Sequence, residues 1–180
     1  MDSRLVVQAQ EGDEAAFAEL TNAIGDRLYR VAFGILRDEA QAEDATQHAL
    51  VEVWRHLPQL RDTARFDAWA YRTLVRSCHR ERRRTPFVAA LTVQYEPAAP
   101  DELRSVNDRD QLERGFRRLS VDQRAVVVLH HYLGLTLEEV ADTLGIPVGT
   151  VNSRLGRAMK KLRRALHIDG VTVGVREVLP

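Results

Sequence analysis

The stretch LTLEEVADTLGIPVGTVNSRLGRAMKKLRR, residues Leu135–Arg164, predicts two short helices joined by a tight turn. Thr136 and Glu139 have the spacing of a capping box, which begins the first helix. Gly145 suits the left-handed position that ends this helix, and Pro147 suits the first turn of the next. Apolar residues then recur at spacings of four, four and three, which marks one face of a second helix: Val151, Leu155, Met159 and Leu162.

The opposite face of this second helix is basic. No acidic residue occurs between Asp142 and Asp169, whereas six lysines or arginines do. A basic amphipathic helix behind a capped helix and a turn is the helix-turn-helix arrangement that enters the major groove of DNA. Arginine can pair with guanine and asparagine with adenine. The side chains predicted to face DNA are Thr150, Asn152, Ser153, Arg154 and Arg157, with Lys160 and Lys161 further on for phosphate contact or solubility.

Charge is segregated along the chain, although the 180 residues carry no net charge. Residues 1–60 hold 5 arginines and 11 acidic residues, and residues 61–85 hold 8 arginines and 3 acidic residues. Residues 86–108 hold 1 arginine and 4 acidic residues, and residues 109–166 hold 11 basic and 6 acidic residues. Because phosphate neutralisation supplies most sequence-independent affinity for nucleic acid, the two basic zones predict two contacts with it.

Several classes of protein are disfavoured by the same sequence. No apolar run approaches the roughly 18 residues of a membrane span, and the polar, acidic N-terminus is unlike a secretory signal. The single cysteine, Cys78, excludes an internal disulfide and fits a reducing cytosol. No phosphate-binding loop, cysteine–histidine set or paired apolar carboxylates occur. We therefore expect a cytoplasmic protein without membrane contact of its own, without catalytic residues, and without a cofactor or metal.

The whole chain predicts an all-α protein of two small helical domains, each with its own core, joined by a flexible linker. Residues 1–85 form the first domain and residues 109–166 the second. Proline density argues against a helix in the linker, residues 86–108. Alternating Val171, Val173 and Val175 give only a weak strand signal in the tail, residues 167–180, for which terminal disorder is expected. The remaining helices are predicted at 13–36, 38–57, 67–84, 109–119 and 120–133.

Three motifs in order resemble those of bacterial extracytoplasmic-function sigma factors of RNA polymerase. They are AEDATQHALVEVWRH (Ala42–His56), RFDAWAYRTLVRSCHRERRR (Arg65–Arg84) and the helix-turn-helix, and the resemblance covers about residues 3–166. It implies a factor that binds core RNA polymerase and directs transcription initiation by recognising the −35 and −10 elements of promoter DNA. It also implies an anti-sigma factor as a partner.

The resemblance assigns residues to each contact. The first motif would bind core polymerase through Glu43, Asp44 and Gln47. The second would read and melt the −10 element, since single-stranded DNA is held by aromatic stacking and a basic groove; its residues are Arg65, Phe66, Arg72, Arg76 and Arg80. The connection Gln59–Arg65 would form a pocket for a flipped base. For Trp69 a core position is predicted, whereas Phe66 fits either a core or a DNA contact. Arg76 and Asn152 depart from the residues common at these positions in the family.

Two other functions fit parts of the sequence. A conventional helix-turn-helix regulator would use only the C-terminal motif, and the arginine- and aromatic-rich segment Arg65–Arg84 argues against it. A sigma-like decoy that sequesters an anti-sigma factor would not need DNA contacts, and the intact basic recognition helix argues against it.

Overall fold

The computed structural model of the protein describes residues 3–84 and 111–166. The linker at 86–108 and the tail at 167–180, including the weak strand signal, lie outside the described residues. Within those two ranges the secondary structure is helical, in agreement with the predicted all-α class.

Four α-helices build the N-terminal half, and three of them were predicted. They are α1 (Ser3–Gln10), α2 (Glu14–Leu36), α3 (Glu39–His56) and α4 (Phe66–Arg84). The side chain of Asp13 accepts hydrogen bonds from the Ala15 and Ala16 amides, and that of Asp38 accepts one from the Gln41 amide. These caps begin α2 and α3 at the predicted positions.

Helix α1 was not predicted, because eight residues are too short for a clear apolar period. It buries Val6 and Ala9 against the rest of the N-terminal half. The side-chain amide of Gln10 donates hydrogen bonds to the carbonyl oxygens of Leu57 (2.9 Å) and Leu60 (2.7 Å). Helix α1 therefore holds the connection between α3 and α4, in which Leu57–Gln59 and Thr63–Arg65 form short 3₁₀ turns.

The C-terminal half begins with α5, described at residues 111–117, and continues with α6 (Val121–Val127), α7 (Leu137–Leu144) and α8 (Val148–Ala165). Both predicted capping boxes are present, Ser120 with Gln123 and Thr136 with Glu139. Gly145 lies in the left-handed region (φ 66°) at the end of α7, as predicted.

One local prediction in this half needs correction. The segment 120–133 does not run as one α-helix, because Val128–Tyr132 form a single π-helical turn after α6. The Leu133 amide donates to the Val128 carbonyl across five residues (3.2 Å). The widened turn brings Nδ1 of His130 within 2.6 Å of the Leu135 carbonyl, where the ring N–H donates a hydrogen bond that ties the turn to the start of the helix-turn-helix.

The two halves share one core, so the prediction of two separate cores is wrong. The main cluster of buried apolar residues joins α2, α3 and α4 to Val126, Leu129 and Val140 of the C-terminal half. Gly34 of α2 meets Val128 so closely that an added Cβ would lie 3.0 Å from a valine methyl group. A smaller cluster around Leu119, Ala158 and Leu162 holds α8 to its own half. In the part of the chain that the structure describes, no helix is long and apolar enough to cross a membrane.

Phe66 is 1% exposed and is the largest of the fully buried side chains. We expect Phe66→Ala to lower the free energy of unfolding by about 3–5 kcal/mol, because it removes a buried ring and leaves a cavity. Val51→Ala is the control: Val51 is 45% exposed, so its truncation should cost about 0.5 kcal/mol or less. Urea denaturation of both variants measures the difference, and similar unfolding midpoints for the two would contradict the buried position of Phe66.

Candidate nucleic-acid interface

A cavity of about 580 Å³ lies beside α4, at the place where the sequence predicts a pocket for a flipped base. The connection after α3 contributes Gln59, Leu60 and Arg61 to its wall. Helix α4 contributes side chains that recur at helical spacing on one face, and the end of α3 closes the opposite side. The lining from the two helices is Trp69, Thr73, Arg76, Ser77 and Arg80 from α4, and Glu52 and His56 from α3.

The cavity lining combines arginines with an aromatic ring, two features that bind single-stranded DNA, and also includes the acid Glu52. Arg76 is exposed and can reach a backbone phosphate, whereas Arg80 is half-buried and its Nε is buried 3.7 Å from the Glu81 carboxylate. Trp69 is partly buried against the core, as predicted, but it also lines the cavity and can offer ring surface to a base. Sequence reasoning missed Trp69, Thr73 and Ser77 as cavity residues. The available signal was their spacing of four from one another, and of three from Thr73 to Arg76 and from Ser77 to Arg80, which puts them on one helix face.

Phe66 is a correction to the predicted set of DNA-contacting residues. Its ring is buried at the start of α4 with its centroid 6.1 Å from that of Trp69. A ring that is 1% exposed cannot stack on a base, and it supports Trp69 instead.

Arg72 of α4, and Arg65 in the 3₁₀ turn just before α4, lie away from the cavity and are engaged by the helix-turn-helix. The Arg65 guanidinium is 3.0 Å from a carboxylate oxygen of Asp142 at the end of α7. Arg72 donates through Nε to the Thr143 carbonyl (2.9 Å) and through Nη2 to the Asp142 carbonyl (3.3 Å). The predicted −10 residues therefore fall into two groups, with Arg76 and Arg80 at the cavity and Arg65 and Arg72 against α7.

A buried carboxylate lies within the arginine run that ends α4. The Glu81 side chain is 7% exposed and is approached by His48 of α3 at 3.1 Å and Arg84 at 3.5 Å. Glu81 therefore points inward and joins the basic end of α4 to α3. The sequence shows Glu81 within the run Arg80–Arg84 but does not reveal that its side chain points inward.

Helix α3 exposes a mixed polar and apolar face. Glu43, Asp44 and Gln47 are all exposed, as predicted for a binding surface. One and two turns further along the same helix, Val51 is 45% and Trp54 42% exposed. The Trp54 ring rests against Phe17 of α2, with centroids 4.4 Å apart. We call these five α3 residues the α3 face; its apolar part was not among the predicted binding residues.

Helix α8 exposes most, but not all, of the residues predicted to face DNA. Asn152, Ser153 and Arg157 are exposed, and the Arg157 guanidinium donates to the Ser153 carbonyl (3.1 Å). Arg154 is more enclosed: its side chain is 24% exposed and lies 3.2 Å from Asp122 of α6. Thr150 is half-buried in the first turn of α8.

The two lysines of α8 differ in their surroundings. Lys161 donates to the Gln123 side-chain oxygen (3.0 Å) and to the Arg118 carbonyl (3.3 Å). Lys160 is exposed and makes no hydrogen bond or ion pair within residues 3–84 and 111–166. Lys160 is therefore the better candidate for a phosphate contact, and Lys161 holds α8 to α6.

Family models match both halves of the chain. The model described as Sigma-70 region 2 matches residues 20–86, and the model described as Sigma-70, region 4 matches residues 109–162. The ECF RNA polymerase sigma factor SigL of Mycobacterium tuberculosis is 37% identical over 171 residues, which cover 89% of this chain and 97% of the relative. The ECF factor SigW of Bacillus subtilis is 26% identical, with 93% of this chain and 97% of the relative covered.

Solved structures show the same fold. CnrH, solved in complex with the cytosolic domain of CnrY, superposes with a TM-score of 0.67 at 29% identity, covering 93% of this chain and 98% of CnrH. The sigma factor RpoE of Bartonella quintana, solved with the anti-sigma factor NepR, superposes with a TM-score of 0.63 at 24% identity. The superposition covers 85% of this chain and 98% of RpoE. The chain belongs to the sigma-70 family, as an extracytoplasmic-function sigma factor of RNA polymerase.

The two lysines of α8 provide a matched pair for testing the −35 contact. Lys160→Ala should reduce the slope of log affinity against log salt concentration by about 1, because one phosphate contact and its released counterion are lost. Lys161→Ala should leave the slope nearly unchanged, since this ammonium group already has protein acceptors. Titrating polymerase holoenzyme onto a −35 duplex over a series of salt concentrations measures both. Equal slopes for the two variants would overturn the assignment of Lys160.

Proposed function

We propose that this protein binds core RNA polymerase through the α3 face, places α8 in the major groove of the −35 element, and holds the −10 strand at the cavity beside α4. The observation that carries this proposal is the presence, in one chain of this family, of an arginine- and tryptophan-lined cavity and a separate basic recognition helix. A conventional helix-turn-helix regulator needs only the second of these.

The α3 face suits a protein partner better than solvent. Exposed carboxylates at Glu43 and Asp44 fit a basic surface, and Val51 and Trp54 add apolar area beside them. Aromatic anchors next to polar groups are typical of binding hot spots. Within the described residues no ion pair engages Glu43 or Asp44, so binding would not first break an intramolecular contact.

The cavity beside α4 supports a role in holding melted DNA. Arg76 and Arg80 supply positive charge, Trp69 supplies ring surface, and a space of about 580 Å³ accommodates an unstacked base. Glu52 and His56 add hydrogen-bonding groups that can discriminate between bases. We infer that Arg76 makes this chain's −10 preference differ from that of relatives with a small side chain there.

The helix-turn-helix supports recognition of duplex DNA. The caps at Thr136 and the left-handed Gly145 fix the angle between α7 and α8. Asp122 holds Arg154 in place, and a pre-positioned guanidinium can pair with a guanine edge. Asn152 and Ser153 lie beside it for further base contacts, and Lys160 for phosphate.

The protein itself would carry out no chemistry, since the polymerase forms the RNA chain. We place it in the cytoplasm with the polymerase and promoter DNA as partners. An anti-sigma factor is a third proposed partner, as the family resemblance implies. Our proposed domain division is residues 1–85 for polymerase binding and −10 recognition and residues 109–166 for −35 recognition.

Run-off transcription with purified protein and core polymerase tests the proposal as a whole. Initiation should begin at specific sites in a genomic promoter library, and core polymerase alone should give none of these starts. A regulator or a decoy would add no new start sites. Failure to initiate anywhere in the library would therefore exclude the proposed function.

Asp44→Arg should weaken binding to core polymerase by about tenfold or more, because it places a cation against a basic surface. Glu19→Arg is the charge-matched control, since Glu19 is an exposed acid on α2 outside the α3 face. Fluorescence anisotropy of the labelled protein, titrated with core polymerase, gives both affinities. If Asp44→Arg binds as tightly as Glu19→Arg, the α3 face is not the polymerase contact.

A further inference from the structure

An exposed valine begins helix α8. Val148 is the first residue of this helix and is 44% exposed. Among residues 136–165, all of which the structure describes, no other large apolar side chain is as exposed. The buried face of α8 is formed by Val151, Ala158 and Leu162 and does not include it. Because removal of apolar surface from water is favourable, Val148 can gain from an apolar contact with a ligand of this helix.

Val148 begins a row of exposed residues at a spacing of four. The row continues with Asn152, Gly156 and Lys160, each of them exposed. Residues four apart are neighbours on a helix surface, so the row forms one narrow strip along α8. Its members are an aliphatic side chain, an amide, a glycine and a cation. The amide and the cation were predicted to contact DNA, whereas Val148 and Gly156 were not.

Gly156 leaves this strip open. An added Cβ at Gly156 would meet no side chain and no other segment of the chain within 4 Å, and the same holds at Gly149, next to Val148. Packing within the protein therefore requires a glycine at neither position. Glycine is unfavourable in the interior of a helix, but it permits close approach of the backbone to a ligand. The two glycines thus allow this side of α8 to come nearer to a DNA groove than long side chains would.

The major groove presents a matching pair of groups at A·T pairs. Adenine presents N7 and the N6 amino group, which an asparagine amide binds in a bidentate manner. Thymine presents its C5-methyl group, which makes apolar contacts, and neither guanine nor cytosine carries such a group. The N-terminal residues of a recognition helix are the ones that reach base edges. Val148 in the first turn and Asn152 one turn later therefore suit thymine and adenine.

We propose that Val148 is a specificity-determining residue, which contacts the C5-methyl group of a thymine in the −35 element beside an adenine bound by Asn152. The proposal rests on the function proposed above and names the bases that the first turns of α8 recognise. Arg154 lies against Asp122 on another side of α8, so the contact of Val148 does not depend on that ion pair.

Deoxyuridine tests the contact directly, because it pairs as thymidine does and lacks only the C5-methyl group. Run-off transcription identifies a promoter, and each thymine of its −35 duplex is then replaced in turn. Replacement of the contacted thymine should lower the affinity of the wild-type holoenzyme by about fourfold, since one buried methyl group is lost. Val148→Ala holoenzyme should bind the unmodified duplex about fourfold more weakly and should not respond to this replacement.

Val7→Ala is the matched control. Val7 is 40% exposed on α1 and lies outside the helix-turn-helix. This variant should bind the unmodified duplex as the wild type does and should keep the full response to deoxyuridine. Both variants should fold, because alanine is a better helix former than valine, and thermal unfolding checks this.

The proposal is overturned by either of two results: no thymine of the −35 duplex responds to replacement, or Val148→Ala responds as strongly as the wild type. Specific initiation by the wild type together with either result would reject the role of Val148 and leave the proposed function intact. Absence of initiation at every promoter would reject the proposed function and the Val148 contact with it.

Discussion

The burial of one side of α4 is the interaction on which the rest of the structure depends. Phe66, Ala70, Leu74 and Cys78 recur every four residues and are buried where α4 packs against α2 and α3. This stripe fixes the rotation of the helix about its axis, so the arginines between these positions point outward. Burial raises the pKa of the Cys78 thiol to about 12, so the thiol stays protonated within this apolar contact.

Because α4 is fixed in this way, its arginines and the preceding Arg65 form two groups that face different partners. Arg76 and Arg80 face the cavity formed with the end of α3, whereas Arg65 and Arg72 face α7. Glu81 is the exception within the basic run: it turns inward to His48 and keeps the end of α4 attached to α3. One helix thus contributes to the N-terminal core, lines the cavity and contacts the other half.

Much of this arrangement follows from the sequence, and the exceptions have physical reasons. Helix boundaries were predictable because capping residues at Asp13, Asp38 and Thr136 act on the adjacent amides. The burial of Phe66 was not predictable from the sequence, because α4 is covered on more than one side and a short aromatic pattern does not distinguish these sides. The π turn was also missed, since a single widened turn leaves the apolar period almost unchanged. The polar residues of the α3 face and most of the predicted α8 residues are exposed, as expected, whereas Thr150 and Arg154 are partly buried. The binding roles of all these residues remain predictions.

The packing of the two halves could not be read from the sequence for a different reason. The contacts of Arg72 with α7 go to backbone carbonyls, which every residue has, and so they leave no pattern in the side chains. Their acceptors exist only because the α7 helix ends at a left-handed glycine, and the donors are available only because α4 turns its arginines away from the core. Two local features, the glycine that ends α7 and the outward-facing arginines of α4, therefore generate the contact between the halves.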